Sequence, residues 1–130
     1  MDRLYRTVHS SCKIILHSKC KQMKSNRVTL IGFVGTHLCT SILENGSKRV
    51  AIRMATHYIK KNQQGDKKYQ TVWHDVIAWD RTAGYAEQNF VKGSRIMVDG
   101  FITYRTYPDQ HGHIRYVTQI TASSLMNLDR

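Results

Sequence analysis

The stretch TVWHDVIAWDRTAGYAEQNFV, Thr71 to Val91, changes its period halfway along. As far as Trp79 it alternates. Val72, His74, Val76 and Ala78 have one parity, and Trp73, Asp75, Ile77 and Trp79 have the other. Alternation of that kind is a strand with two unlike faces. Beyond it, Ala83, Ala86 and Phe90 recur at i, i+3 and i+7, a short helical face. Thr82 is the candidate N-cap, and Lys92-Gly93 is the stop signal. A strand that feeds into one short helix fixes the middle of the topology.

Upstream, from Asn26, Val28, Leu30 and Gly32 alternate with Thr29, Ile31 and Phe33, a strand buried on one side and partly covered on the other. Gly35 permits a bulge or bend. Asn45-Gly46 is a hairpin turn signal. A second strand, from about Arg49 to Ile59, follows with Val50, Ile52 and Met54 on one face. KKNQQGDKK, Lys60 to Lys68, reads as a polar loop that turns at Gly65-Asp66. Downstream of the helix come a strand from about Arg95 to Tyr104 or beyond, a turn at PDQHGH, and a strand from about Ile114 to Ala122. The order β-β-β-α-β-β predicts an all-β fold. It is the layout of a five-stranded antiparallel OB barrel with one short helix between strands three and four.

The chain is 130 residues long, enough for one domain with a modest core. Lys and Arg number 20 against 9 Asp and Glu, a net charge of +11. That excess predicts a polyanionic partner, most commonly nucleic acid. No apolar run is long enough to span a bilayer, and no strongly apolar basic helix favours a membrane surface. Residues 1–22 carry five basic residues and one acid. They read as a disordered basic extension, or as a start assigned upstream of the true one at Met23, with a transit peptide as a third reading. Without them the net charge is still +7, so residues 23–130 form a basic domain by themselves. Cys12, Cys20 and Cys39 follow no disulfide or zinc spacing.

Seven aromatics, Tyr58, Tyr69, Trp73, Trp79, Tyr104, Tyr107 and Tyr116, lie in or beside strands two to five. Lys60, Lys61, Lys67, Lys68, Arg81, Arg105 and Arg115 are interleaved with them. Aromatic rings offer a face to any base, and Lys and Arg follow phosphates, so the pattern suits a single strand bound without regard to sequence. Trp73 and Trp79 are either core or a stacking platform. Asp75 on their face favours the platform, because a lone carboxylate is poor company in a dry core. His111 and His113 sit at a hairpin tip without a third ligand, and neither a metal nor a cofactor is expected. Asp75, Asp80 and Asp99 would have to converge for a metal-dependent nuclease, the alternative from the enzyme class, and they have no recognised spacing. No nucleophile motif or phosphate loop is present.

From Asn26 to about Leu128 the chain resembles the bacterial-type single-stranded DNA-binding proteins, an OB-fold family with mitochondrial members. NRVTLIGFVG (26–35) is similar to the family's opening strand, and ENGSKRVAIRMAT (44–56) to its hairpin and the strand ending in Ala-Thr. TVWHDVIAW resembles T-E-W-H-x-V-x-x-F/W. FVKGSRIMVDGFITYR (90–105) and YPDQHGHIRYVTQI (107–120) resemble its K-G-S and D-x-x-G-x-x-R-Y segments.

The resemblance implies a non-enzymatic protein that protects single-stranded DNA in replication, recombination and repair. It implies base stacking at Trp73, Trp79 and Tyr107. The fourth stacking position of the family falls on Lys60, where Tyr58 substitutes or Lys60 holds a phosphate. Lys61, Arg81, Arg105 and Arg115 complete the expected DNA contacts. The family is usually a homotetramer with the W-H histidine near a subunit contact, here His74. A dimeric, primosome-type protein acting through a replication partner is the alternative. His37-Leu38 replaces the family's D-P after the first strand. Bacterial members carry an acidic tail that recruits other enzymes, and with NLDR directly after the barrel no such recruitment is expected. The expected location is cytoplasmic, with the nucleoid, or else the mitochondrial matrix.

Overall fold

The computed structural model describes residues 25–129. The extension expected over 1–22 and the start at Met23 lie outside the described residues. Six strands and one helix follow in order: β1 Val28–Val34, β2 Cys39–Ile42, β3 Lys48–Lys61, β4 Lys67–Trp79, α1 Asp80–Asn89, β5 Arg95–Pro108 and β6 Ile114–Asn127.

The sheet order is β1-β5-β6-β4-β3-β2, and an additional β1–β3 pairing closes it into a barrel. β1 pairs with β5 from Val28↔Gly100 to Phe33↔Arg95, then crosses to β3 at Phe33↔Ala55 and Val34↔Met54. β2 pairs with β3 further on, from Cys39↔Ala51 to Ile42↔Lys48. β1 and β2 are thus two halves of one barrel strand, bent after Gly35, and the count of five barrel strands holds. The sequence reading did not separate β2, because all four of its residues are exposed and leave no buried face to alternate. β4 and β6 complete the ring in parallel, at Val76↔Ile120 and Ile77↔Thr121. The other pairings are antiparallel.

Two glycines make the closure possible. A Cβ on Gly32 would press into the Ala55 carbonyl, 3.0 Å from its carbon, and one on Gly100 into that of Thr121, 2.9 Å from its carbon. Gly100 also sits at the register shift between β5 and β6. Both are places where two backbones touch.

Val50, Ile52, Val76, Ile96 and Val98 fill the interior, and Ala83, Ala86 and Phe90 cap one end. The expected helical face is therefore the buried one. The helix begins earlier than Thr82, however. Trp79 is its N-cap residue, with no side-chain cap bond, and Asp80 follows at φ 49°. No spare residue lies between strand and helix, so Asp80 takes the left-handed turn, which Asp tolerates better than most residues. Its Oδ1 accepts the Lys48 amide at 3.1 Å, which ties the turn to the start of β3. The helix ends at Asn89, and Gly93 follows at φ 89°.

The strands are longer than expected. The stretch Lys60–Lys68 is mostly ribbon, with Lys60↔Lys68 and Lys61↔Lys67 paired, and only 62–66 turns. Asn62 Oδ1 accepts the amides of Gln64 and Asp66 at 3.0 and 2.8 Å. β5 and β6 likewise extend to Pro108↔Ile114. There Asp109 Oδ1 accepts the amides of His111 and His113 at 2.9 and 2.8 Å. Outside the barrel neither face is buried, so the alternation that marks a strand disappears there.

Candidate nucleic-acid interface

Strand register places the outward side chains. On β3 and β4 the outer row pairs Arg49 with Trp79, Ala51 with Ile77, Arg53 with Asp75 and Ala55 with Trp73. Ile77 also pairs with Thr121 of β6, whose outer row continues through Gln119, Val117 and Arg115. Opposite these on β5 lie Thr103, Arg105 and Tyr107. One outer face therefore carries Trp73, Trp79, Arg105, Tyr107 and Arg115 together. Between them runs an open groove of about 310 Å³, with Arg49, Arg53, Arg105, Ile77 and Gln119 in its walls and Asp75 as its one lining carboxylate.

Trp73 is 48% exposed and Trp79 37%. Neither indole belongs to the core. Ile77, on the same parity, is buried, because β6 lies beside it. The benzo ring of Trp73 rests on Gly35: a Cβ there would be 2.7 Å from its Cη2 and closer still to Cζ3. The Arg53 guanidinium carbon stands 5.5 Å from the Trp73 ring centroid, within cation–π range. Arg53 Nη1 donates to Asp75 Oδ1 at 2.8 Å. This partner explains how a carboxylate can share a face with two indoles.

The β3–β4 ribbon divides the remaining candidates. Tyr58 and Lys60 have the parity of Ile52 and Met54, so they lie on the opposite side of the ribbon from Trp73. Lys61 and its neighbour Lys67 have the Trp73 parity, as does Tyr69, which is 74% exposed. On the other ribbon Tyr107 is 43% exposed, with the Arg105 guanidinium 6.0 Å from its ring. Arg115 Nε donates to Asp109 Oδ2 at 2.9 Å. Desolvation works to raise the Asp109 carboxyl, and the amides of His113 and His111 with the Arg115 guanidinium outweigh it, so it is held below its ordinary range. Arg81 is exposed in the first turn of α1, two residues after Trp79.

Arg49 and Arg53 were not anticipated. The signal was present, since they alternate with Val50, Ile52 and Met54 on strand two. Tyr69 shared the Trp73 parity, but the apparent loop at Lys60–Lys68 hid the continuity of the strand.

His74 points to the inner side of β4, where its Nε2 lies 2.8 Å from Thr56 Oγ1. Partial burial lowers its pKa, against a smaller raising effect from Asp75. The three acids of the nuclease alternative are engaged separately. Asp75 pairs with Arg53, Asp80 accepts the Lys48 amide, and Asp99 takes Arg27 at 3.0 Å and Thr29 at 3.2 Å. Among the described residues no three His, Cys, Asp or Glu side chains gather to hold a metal ion. Among them, too, no helix is long and apolar enough to cross a membrane.

A closed OB barrel whose outer face joins indoles to arginines defines the class of protein. The chain belongs to the single-strand binding protein family, whose profile matches residues 25–128. It is 29% identical over 103 residues to a single-stranded DNA-binding protein of Xanthomonas campestris, covering 79% of this chain and 60% of that protein. It is 30% identical over 106 residues to single-stranded DNA-binding protein 1 of Xylella fastidiosa, covering 81% and 78%. The chain spans about three-fifths of the length of the Xanthomonas campestris relative. Among solved structures, a Plasmodium falciparum single-strand binding protein in complex with single-stranded DNA superposes with a TM-score of 0.75 at 25% identity, covering 83% of this chain and 98% of that one.

Proposed function

We propose that the protein binds single-stranded DNA without reading its sequence and without catalysing a reaction on it. The observation that carries this reading is the single outer face on which two half-exposed indoles, Tyr107 and three groove arginines lie together. Unpaired bases stack on Trp73, Trp79 and Tyr107, and Lys and Arg neutralise the phosphates. A duplex keeps its bases stacked on one another and gains less from the rings. Lys61, Lys67 and Tyr69 extend the track along one side of the β3–β4 ribbon, and Tyr58 and Lys60 offer a second side. Arg81 and Arg115 flank the barrel face.

The role we assign rests on the family: strands exposed in replication, recombination and repair are covered and kept single. The cytoplasmic nucleoid is the place we assign to it, as for a bacterial genome. Self-association, as a homotetramer, is part of the proposal. Ile31, Phe33 and Met126 are 52%, 42% and 48% exposed, an apolar surface that a second copy would cover. His74 keeps its assignment to a subunit contact on the family resemblance. Light scattering decides between tetramer and dimer.

The test is a tryptophan-fluorescence titration with dT oligomers of several lengths at two salt concentrations. Quenching that saturates, with affinity falling steeply as salt rises, is expected. Unchanged emission at saturation refutes stacking on the two indoles.

A further inference from the structure

We propose that Asp75 is a counter-charge built into the groove, holding Arg53 over Trp73 and away from phosphate until a single strand displaces it. The proposal rests on the single-strand reading above and concerns how that site is set. Three arginines line the groove and one carboxylate faces them. An acid in a surface meant for a polyanion repels its ligand, so its placement there calls for a physical role. Asp75 accepts from Arg53 Nη1 at 2.8 Å, and the same guanidinium stands 5.5 Å from the centre of the Trp73 ring. Arg53 is thus held twice, by a carboxylate and by an indole face.

A bound strand replaces both partners. A phosphate takes the place of the Asp75 carboxylate, and a base takes the ring face that the guanidinium covers. The exchange is feasible because the pair is open to water: the side chains of Arg53 and Asp75 are 46% and 38% exposed. Ion pairs in that setting are held weakly and are screened by salt. Within the groove no other arginine is held by a carboxylate. Arg49 and Arg105, the other groove arginines, form no salt bridge among the described residues. Asp75 therefore tempers affinity at one position. In the free protein it also keeps a guanidinium beside the half-exposed Trp73 indole. It is a positioning residue acting through Arg53.

The test uses the full chain, dT oligomers and a series of salt concentrations. Asp75→Asn keeps the size of the side chain and removes the charge. It is expected to tighten binding several-fold at ~0.1 M salt and to steepen the slope of log affinity against log salt, because the exposed Arg53–Asp75 pair that wild-type binding must break is itself weakened as salt rises. A purely structural role for Asp75 would leave that slope unmoved. Adding Arg53→Gln to Asp75→Asn is expected to abolish the gain in both affinity and slope. If Asp75→Asn fails to fold by circular dichroism, Asp75→Ser carries the same expectation. Binding by the wild type with no gain in affinity or slope for the variant overturns the proposal and leaves the single-strand reading intact. Failure of the wild type to bind dT overturns that reading instead.

Discussion

Replacing Gly35 by Ala should damage the binding face while sparing the barrel. A Cβ at this position would meet the Trp73 indole, 2.7 Å from Cη2 and nearer to Cζ3. The clash is with the far end of a side chain that is 48% exposed, so the ring has room to swing outward. The next neighbour of the new methyl, the Arg53 carbonyl oxygen at 3.4 Å, is at ordinary packing distance. Gly35 is not at a positive φ, so Ala is compatible with the backbone there. Folding stability should therefore change by less than about 1 kcal/mol. Binding should suffer more. A displaced Trp73 loses a stacked base worth roughly 1–3 kcal/mol, which is about 5- to 150-fold in affinity. Dissociation constants for a short dT oligomer, set beside thermal melts of the same variants, check this. The decisive comparison is with Trp73→Ala. If Gly35 acts through the indole, the double variant binds no worse than Trp73→Ala alone. Additive losses, or a melting temperature lowered as far as by a barrel-closing glycine, would refute the reasoning.

Gly32→Ala supplies that reference. Its Cβ would press on the Ala55 backbone where β1 crosses to β3, and backbone does not swing aside, so stability in the melt should fall by several kcal/mol, of order ~3. At the ribbon tip, Lys60 faces Lys68 and Lys61 faces Lys67 across an antiparallel pair, which like charges oppose. Bound dT should therefore protect this tip from trypsin, and Lys61→Gln with Lys67→Gln should flatten the salt slope by ~0.7 for each phosphate left without its lysine. Acid should weaken the fold through Asp99. The Arg27 hydrogen bond holds its carboxyl below the ordinary range, against a smaller desolvation effect. A depressed carboxylate contributes stability above its unfolded pKa of ~3.9 and loses it as pH falls through the folded value. The melting temperature of the wild type should drop below about pH 4 more than that of Asp99→Asn, as a pH series of melts would report.

Much of this was legible from residue order, for a definite reason. Inside the barrel one face of each strand is buried, so Val50-Ile52-Met54 and Val76-Ala78 announce their strands and their inward parity. The helix announced itself by Ala83, Ala86 and Phe90 because those residues cap the core. Legibility ended where burial ended. β2 is exposed at every position, and the outer halves of β3 to β6 leave the barrel, so their residues were free to be Lys, Gln and Tyr in any order. The start of the helix was misplaced because the chain uses no side-chain cap at Trp79. It makes the turn with a left-handed Asp80 instead, which no composition rule marks.

The site follows the same logic with the sign reversed. A strand that sends Val76 and Ala78 inward must send Asp75 and Trp79 outward, so the core pattern already contains the proposed binding pattern as its complement. Reading β3 by that rule adds Arg49 and Arg53 at once, because they occupy the gaps between core residues. What the complement cannot supply is pairing across strands. That Arg53 belongs to Asp75, and that Trp73 leans on Gly35, depend on register and on a bend two strands away. Those contacts decide whether the indole face and the guanidinium are free for a ligand or already engaged. Parity thus determines which residues share the proposed binding face. Register determines how strongly each is held there by its neighbours, and the proposed control of affinity rests on that second property, on a surface whose charge alone would bind any polyanion.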